Sequence, residues 1–186
     1  IFESLLKYNL KPRVLVACSS AEYGFIDETK LPINEDHPLR PVHPYGISKV
    51  AQELLAYQYF INFQIPTVSI RLFNTTGPGP IHDVCSDFSR RIAEAEAGII
   101  KPIIKVGNLD TKRDFNDVRD AIQALCLSQD KGRAGEVYNL CTGKSYSGSD
   151  ILNMLISMAR IKLSVETNSD LLRPSDEPIF IGDSTK

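Results

Sequence analysis

Apolar and polar positions along the chain fall into blocks whose period alternates between strand-like and helix-like. Arg13–Ser19 (RVLVACS) and Pro66–Phe73 (PTVSIRLF) are short apolar runs that read as strands. The first is apolar on both faces, as expected of a parallel strand covered by helices. Between them, Gly46–Phe63 carries Val50, Leu54, Leu55, Tyr57 and Ile61 at three- and four-residue intervals, which predicts a long helix. Ile1–Tyr8 reads as the tail of a helix, and the Pro-rich stretch Ala21–His43 as irregular. Downstream, Asn74–Pro80 (NTTGPGP) is turn-dense and Asp83–Ala97 is a helix ended by Gly98. Ile103–Val106 is a short strand. Asn116–Gln129 is an amphipathic helix with Val118, Ile122, Leu125 and Cys126 on one face. Val137–Leu140 follows as a strand, Ser149–Arg160 as a helix capped by Ser149 or Asp150, and Leu163–Glu166 as a last strand.

Strands separated by helices argue an α/β fold with a parallel sheet. Residues 1–75 fit sheet-and-helix layers. In residues 76–186 the strands shorten and helices dominate, which predicts a smaller, mixed α/β domain with segments returning to the sheet.

Composition narrows the function. The 21 Lys+Arg nearly balance the 23 Asp+Glu, for a net charge of −2, so no basic footprint for nucleic acid or an anionic membrane is present. Apolar runs fall far short of the ~20 residues needed to span a bilayer, and no secretory signal opens the chain. The sequence starts at Ile1 in helix-like residues without an initiator Met, so a C-terminal fragment is expected. Cys18, Cys85, Cys126 and Cys141 form no C-x-x-C, and His37, His43 and His82 no H-x-H or H-E-x-x-H, so no metal site and reduced cytoplasmic thiols are expected. Asn74-Thr75-Thr76 spells a glycosylation acceptor, which has no meaning without a secretory route.

Three constellations could carry chemistry. Tyr45 and Lys49 lie four apart at a helix start, on one face. A phenol is a poor acid or base near neutrality, and an adjacent ammonium favours the phenolate. The same spacing also fits an exposed i,i+4 pair. Ser19 and Ser20 follow the first strand at its carboxyl end, where open α/β sheets bind ligands; such hydroxyls serve equally to cap free backbone groups. Asn74, Arg113 and Arg173 form the third set. Two arginine forks suit a diphosphate, and each arginine taken singly also suits a surface ion pair. Neither G-x-G-x-x-G nor G-x-x-G-x-x-G occurs, so any dinucleotide-phosphate turn is expected to precede Ile1.

Taken together, SSAEYG (Ser19–Gly24), HPYGISK (His43–Lys49), RLFNTTGPG (Arg71–Gly79), GNLDTKRDFNDVRD (Gly107–Asp120) and RPSDEP (Arg173–Pro178) resemble the extended short-chain dehydrogenase/reductases that modify nucleotide sugars. The match covers nearly the whole chain. KVGNLDTKRDF and RPSDEPIFIGD carry a finer resemblance to the branch that reduces GDP-4-keto-6-deoxyhexoses, with the GDP-mannose 4,6-dehydratases close behind and the UDP-hexose 4-epimerases sharing the same trio.

The resemblance implies the C-terminal part of a Rossmann-like, doubly wound parallel sheet plus a substrate domain. It implies Tyr45 as catalytic acid, Lys49 as its partner and ribose ligand, and Ser19, with Ser20 as fallback, orienting the sugar carbonyl. Leu72 joins Tyr45 and Lys49 at the NADP or NAD site. Glu22, Asn74, Asn108, Arg113, Arg173, Ser175 and Asp176 are implied as contacts to the nucleotide-diphosphate sugar. The dehydratases carry a glutamate two residues after the hydroxyl residue; counted from Ser19 that place holds Ala21, with Glu22 beside it, which leans towards a reductase. A homodimer through the Gly46–Phe63 and Val84–Ala97 helices is implied when the chain is full length, and a fragment is expected to be inactive. The alternative of another class is a nucleotide-sugar-binding module without catalysis.

Overall fold

The computed structural model describes residues 1–79, 83–171 and 178–186. In chain order the elements are α1 (Phe2–Lys7), β1 (Val14–Ser19), α2 (Pro44–Phe63), β2 (Thr67–Leu72), β3 (Asn74–Thr76), α3 (Val84–Glu96) and β4 (Ile103–Val106). They continue as β5 (Lys112–Asp117), α4 (Val118–Lys131), β6 (Val137–Leu140), β7 (Ser145–Ser147), α5 (Gly148–Met158), β8 (Ser164–Thr167) and β9 (Ile179–Phe180).

The first sheet is parallel throughout, in the order β1-β2-β6, with Cys18 opposite Arg71 and Arg71 opposite Asn139. Helices cover both of its faces. On one, Val68, Ile70 and Leu140 pack with Ala121, Ala124 and Leu125 of α4. On the other, Val16 and Cys18 pack with Ala56 of α2. The central strand is β2, whose Thr67, Ser69 and Arg71 are buried as completely as its Val68 and Ile70. This polar row under α2 is satisfied from within: Thr67 Oγ1 donates to the Ala56 carbonyl at 3.2 Å and Arg71 pairs with Glu53. The α/β, Rossmann-like fold class is therefore the one observed.

Helix α2 differs from its expected pattern. Gly46, Glu53 and Ala56 are its buried residues, while Leu54, Leu55, Tyr57 and Ile61 are each about half exposed. The inward face is set by what the polar row of β2 needs, a carboxylate and small residues, and the apolar row is left outside.

The second half is built around β5, which pairs in parallel with β3 and β9 and antiparallel with β7. A separate pair, β4-β8, closes a core of Phe88, Ile92, Ile104, Val106, Ile151 and Leu152 between α3 and α5. The turn-dense reading of residues 74–80 is corrected by the short strand β3, and the helix expected from Asn116 starts at Val118 because its predecessor is β5. KRDFND hides a strand because its buried face is polar: Asp114 and Asn116 point inward. Asp114 accepts from the Thr142 N–H (2.8 Å), the Thr142 hydroxyl (2.7 Å) and the Gly143 N–H (2.9 Å). Helix α5 is capped by Ser147 in a capping box with Asp150, not by Ser149 or Asp150.

Candidate active site

The carboxyl end of β1 runs into a tight 3-10 turn over Ser20–Glu22. Ser19 caps it: its side chain accepts the Ala21 N–H at 3.2 Å, while its own N–H donates to Glu22 Oε1 at 2.9 Å. Pro44 is the first residue of α2, where its missing N–H is no loss. Gly46 then brings the helix start against this turn. A Cβ there would sit 2.5 Å from the Ala21 carbonyl oxygen and 2.9 Å from Pro41 Cβ. Gly24 has φ +69, and a Cβ on it would sit 1.9 Å from the Arg40 carbonyl oxygen, so the chain leaving the turn also needs glycine.

These approaches build a cavity of about 650 Å³ at the carboxyl ends of β1 and β2, lined by Ser19, Ser20, Ala21, Tyr45, Lys49, Leu72, Asn74 and Arg113, among others. The phenol of Tyr45 belongs to a residue 58% exposed, so it is open to a ligand rather than packed under the core. Lys49 Nζ lies 5.8 Å from the centroid of the Tyr45 ring and donates to the Ala17 carbonyl at 2.7 Å and to Gln52 Oε1 at 3.3 Å. Ser19, Ser20, Tyr45 and Lys49 are thus gathered on one wall system from two separate elements.

A second cavity, about 340 Å³, is lined by Asn108, Leu109, Thr111 and Tyr146 together with Asn74 and Arg113. The last two line both cavities, which therefore lie side by side. Asn74 Nδ2 donates to the Asp114 carbonyl (3.3 Å), and Arg113 Nη1 to the Lys112 carbonyl (2.9 Å). Asn108 Oδ1 accepts the Asp110 N–H in a side-chain turn.

Glu22 is the correction. Expected among the substrate contacts, it is fully buried on the other side of the turn, facing Arg71 and Glu53, while Ala21 lines the cavity. Arg173, Ser175 and Asp176 lie outside the described residues. Among the cavity residues not singled out from the sequence are His43 and Phe180. His43 stands in the quoted HPYGISK and could have been included. Phe180 arrives only by the parallel pairing of β9, which sets it opposite Arg113.

Cys18 is buried beneath the site, where loss of solvation and the nearby Glu22 and Glu53 carboxyls push its thiol well above the usual range. Its Sγ and the two carboxyl groups lie within 4.8 Å of one another, and the cation beside them is the Arg71 guanidinium, paired with Glu53 at 2.6 Å. Among the described residues no helix is long and apolar enough to cross a membrane.

Comparison with known proteins agrees with this architecture. A family profile described as GDP-mannose 4,6 dehydratase matches residues 1–186. The GDP-6-deoxy-D-mannose reductase of Pseudomonas aeruginosa is 32% identical over 164 residues, covering 88% of this chain and 54% of that protein. The GDP-6-deoxy-D-talose 4-dehydrogenase of Aggregatibacter actinomycetemcomitans is 29% identical, covering all of this chain and 61% of that protein. The solved structure of RMD from Pseudomonas aeruginosa complexed with NADPH superposes with a TM-score of 0.92 at 30% identity, over 97% of this chain and 60% of that one. The chain thus spans between half and two thirds of the length of these relatives.

Proposed function

This chain belongs to the GDP-mannose 4,6 dehydratase family, and from that premise and the cavities described above we propose that the whole protein reduces the 4-keto group of a GDP-4-keto-6-deoxyhexose with NADPH or NADH. The observation that carries the reading is the shared cavity of Ser19, Tyr45 and Lys49, which adjoins a second cavity across Asn74 and Arg113.

The residues at the carboxyl ends of β1 and β2 fit a nicotinamide riboside: Tyr45 and Lys49 are one helical turn apart and Leu72 lines the same cavity. When bound, the dinucleotide supplies the hydride. Tyr45 gives its phenolic proton to the sugar's C4 oxygen, and the Lys49 ammonium nearby stabilises the phenolate left behind. Because Ser19 Oγ already accepts the Ala21 N–H, its own O–H is left to donate to the same carbonyl and orient it. Arg113 offers a planar fork to the diphosphate, with Asn74 and Asn108 beside it. Arg173, Ser175 and Asp176 join this group on the sequence resemblance alone.

A dehydratase needs an acid in the cavity to remove water across C5–C6. Ala21 lines the cavity and Glu22 faces away from it, which supports reduction over dehydration. The same reading takes the protein as a cytoplasmic homodimer, with the exposed apolar row of α2 as its contact.

The test is to incubate the full-length protein with NADPH and GDP-4-keto-6-deoxymannose and follow the nicotinamide absorbance. Stoichiometric loss of absorbance with the appearance of GDP-6-deoxyhexose is expected. Binding of the GDP-sugar without any consumption of NADPH makes the protein a binding module instead.

A further inference from the structure

Behind the serine turn, sealed between the first sheet and α2, lies a polar cluster that the proposed reaction does not use. Glu22 is its centre and is fully buried. Its Oε1 accepts the Ser19 N–H at 2.9 Å, and Ser19 returns a side-chain hydrogen bond to the same turn, so the two residues clamp each other. Its Oε2 has no hydrogen-bond partner, although it is cut off from solvent. Arg71 Nε is 3.7 Å away, and that guanidinium is committed elsewhere. It donates to both oxygens of Glu53 (2.9 and 2.6 Å), to the Tyr23 hydroxyl and to the Glu35 carbonyl (2.9 Å each). One cation therefore serves two buried carboxyl groups. A buried carboxylate oxygen without a donor is costly, and two adjacent carboxylates resist joint ionisation. A proton on Oε2 removes both penalties, because it turns the orphan acceptor into a donor towards Glu53.

We propose that Glu22 is a positioning residue that works as a neutral carboxylic acid: Oε1 holds the Ser19 N–H, protonated Oε2 donates to Glu53, and together they fix the Ser19 hydroxyl at the sugar carbonyl. The inference rests on the role given to Ser19 in the proposed reaction. The titratable and charged groups facing Glu22 are Cys18 from β1, Glu53 from α2, Arg71 from β2 and Tyr23 next in the chain. Burial, and then the neighbouring Glu53 charge, push the Glu22 carboxyl up to about 7, against the opposing pull of the Ser19 N–H and of Arg71. Above that pH the ionised Glu22 repels Glu53 and the clamp on Ser19 loosens. The sign for stability follows: the folded protein keeps a proton that the unfolded chain gives up, so stability falls as pH rises from about 4.5 to about 7 and levels off beyond.

The experiment is a pH series of kcat and KM on the full-length protein, with NADPH and the GDP-4-keto-6-deoxy sugar, for wild type, Glu22→Gln and Glu22→Ala, joined to urea unfolding of the same three proteins. Wild-type kcat is expected to fall as pH rises through about 7 while the sugar's KM holds steady. Glu22→Gln keeps the acceptor and a permanent donor, so it is expected to lose that fall and to keep the acid-side kcat within about twofold. Glu22→Ala is expected to lower kcat about tenfold or more, with KM little changed. In the unfolding series wild type is expected to lose stability between about 4.5 and about 7, and Glu22→Gln to lose less. Persistence of the kcat fall in Glu22→Gln, wild-type kcat in Glu22→Ala, or equal unfolding slopes would overturn the proposal. A wild type that consumes no NADPH overturns the proposed reaction and, with it, the positioning role, while the unfolding comparison still reads the Glu22 proton by itself.

Discussion

Tyr45 reaches its cavity because the residue after it has no side chain. Gly46 lets the α2 start press on the Ala21 carbonyl, and Gly46→Ala, with its Cβ 2.5 Å from that oxygen, is expected to destabilise the fold by about 1–3 kcal/mol in urea unfolding and to displace the phenol. Tyr45→Phe removes only the hydroxyl. It is expected to lower kcat by a factor of about 10²–10⁴ while GDP-sugar affinity, measured by calorimetric titration, stays within about twofold. The tyrosine–lysine pair was legible in the sequence because a four-residue spacing on a helix is a local geometric fact. Glu22 was not. In a 3-10 turn neighbouring residues diverge, so Ala21 faces the cavity while Glu22 enters the interior, and only the distant Arg71 and Glu53 decide that direction.

Among the elements, β5 carries the sharpest lesson. Helices and strands with apolar cores were readable to within a few residues, Ile103–Val106 and Val137–Leu140 to the residue. Strand β5 hides because its inward face is Asp114 and Asn116, and hydrophobic period is blind to a polar row satisfied by remote backbone groups. The same holds for α2, whose apolar repeat marks the helix while its buried side is set by Glu53 and small residues. Asp114→Ala removes the buried acceptor that ties the exposed Thr142 and Gly143 donors to β5. A loss of about 1–3 kcal/mol is expected on urea unfolding, with a raised sugar KM because Arg113 precedes it on the strand.

For the molecule as a whole, alternation of strand and helix foretold the parallel sheet, but not the order β1-β2-β6 or the three-way pairing of β5, since register between distant segments leaves no local mark. Residues 1–186 contain no G-x-x-G-x-x-G, the turn that sets backbone N–H groups against a pyrophosphate. Expressed by itself, this polypeptide is expected to bind NADPH with Kd weaker than about 0.1 mM in a fluorescence titration, and a protein that also carries that turn is expected to bind it at least about tenfold more tightly.

Residues 178–183 close what was begun far earlier. Pro178 accepts the Lys112 N–H, Phe180 pairs with Arg113, and Ile181 and Asp183 exchange backbone bonds with Ile33. Of everything described, this clasp is synthesised after all its partners. Cutting the polypeptide before Pro178 is therefore expected to expose the edge of β5, release Ile33 and open the cavity at Phe180, with a loss of stability read by urea unfolding.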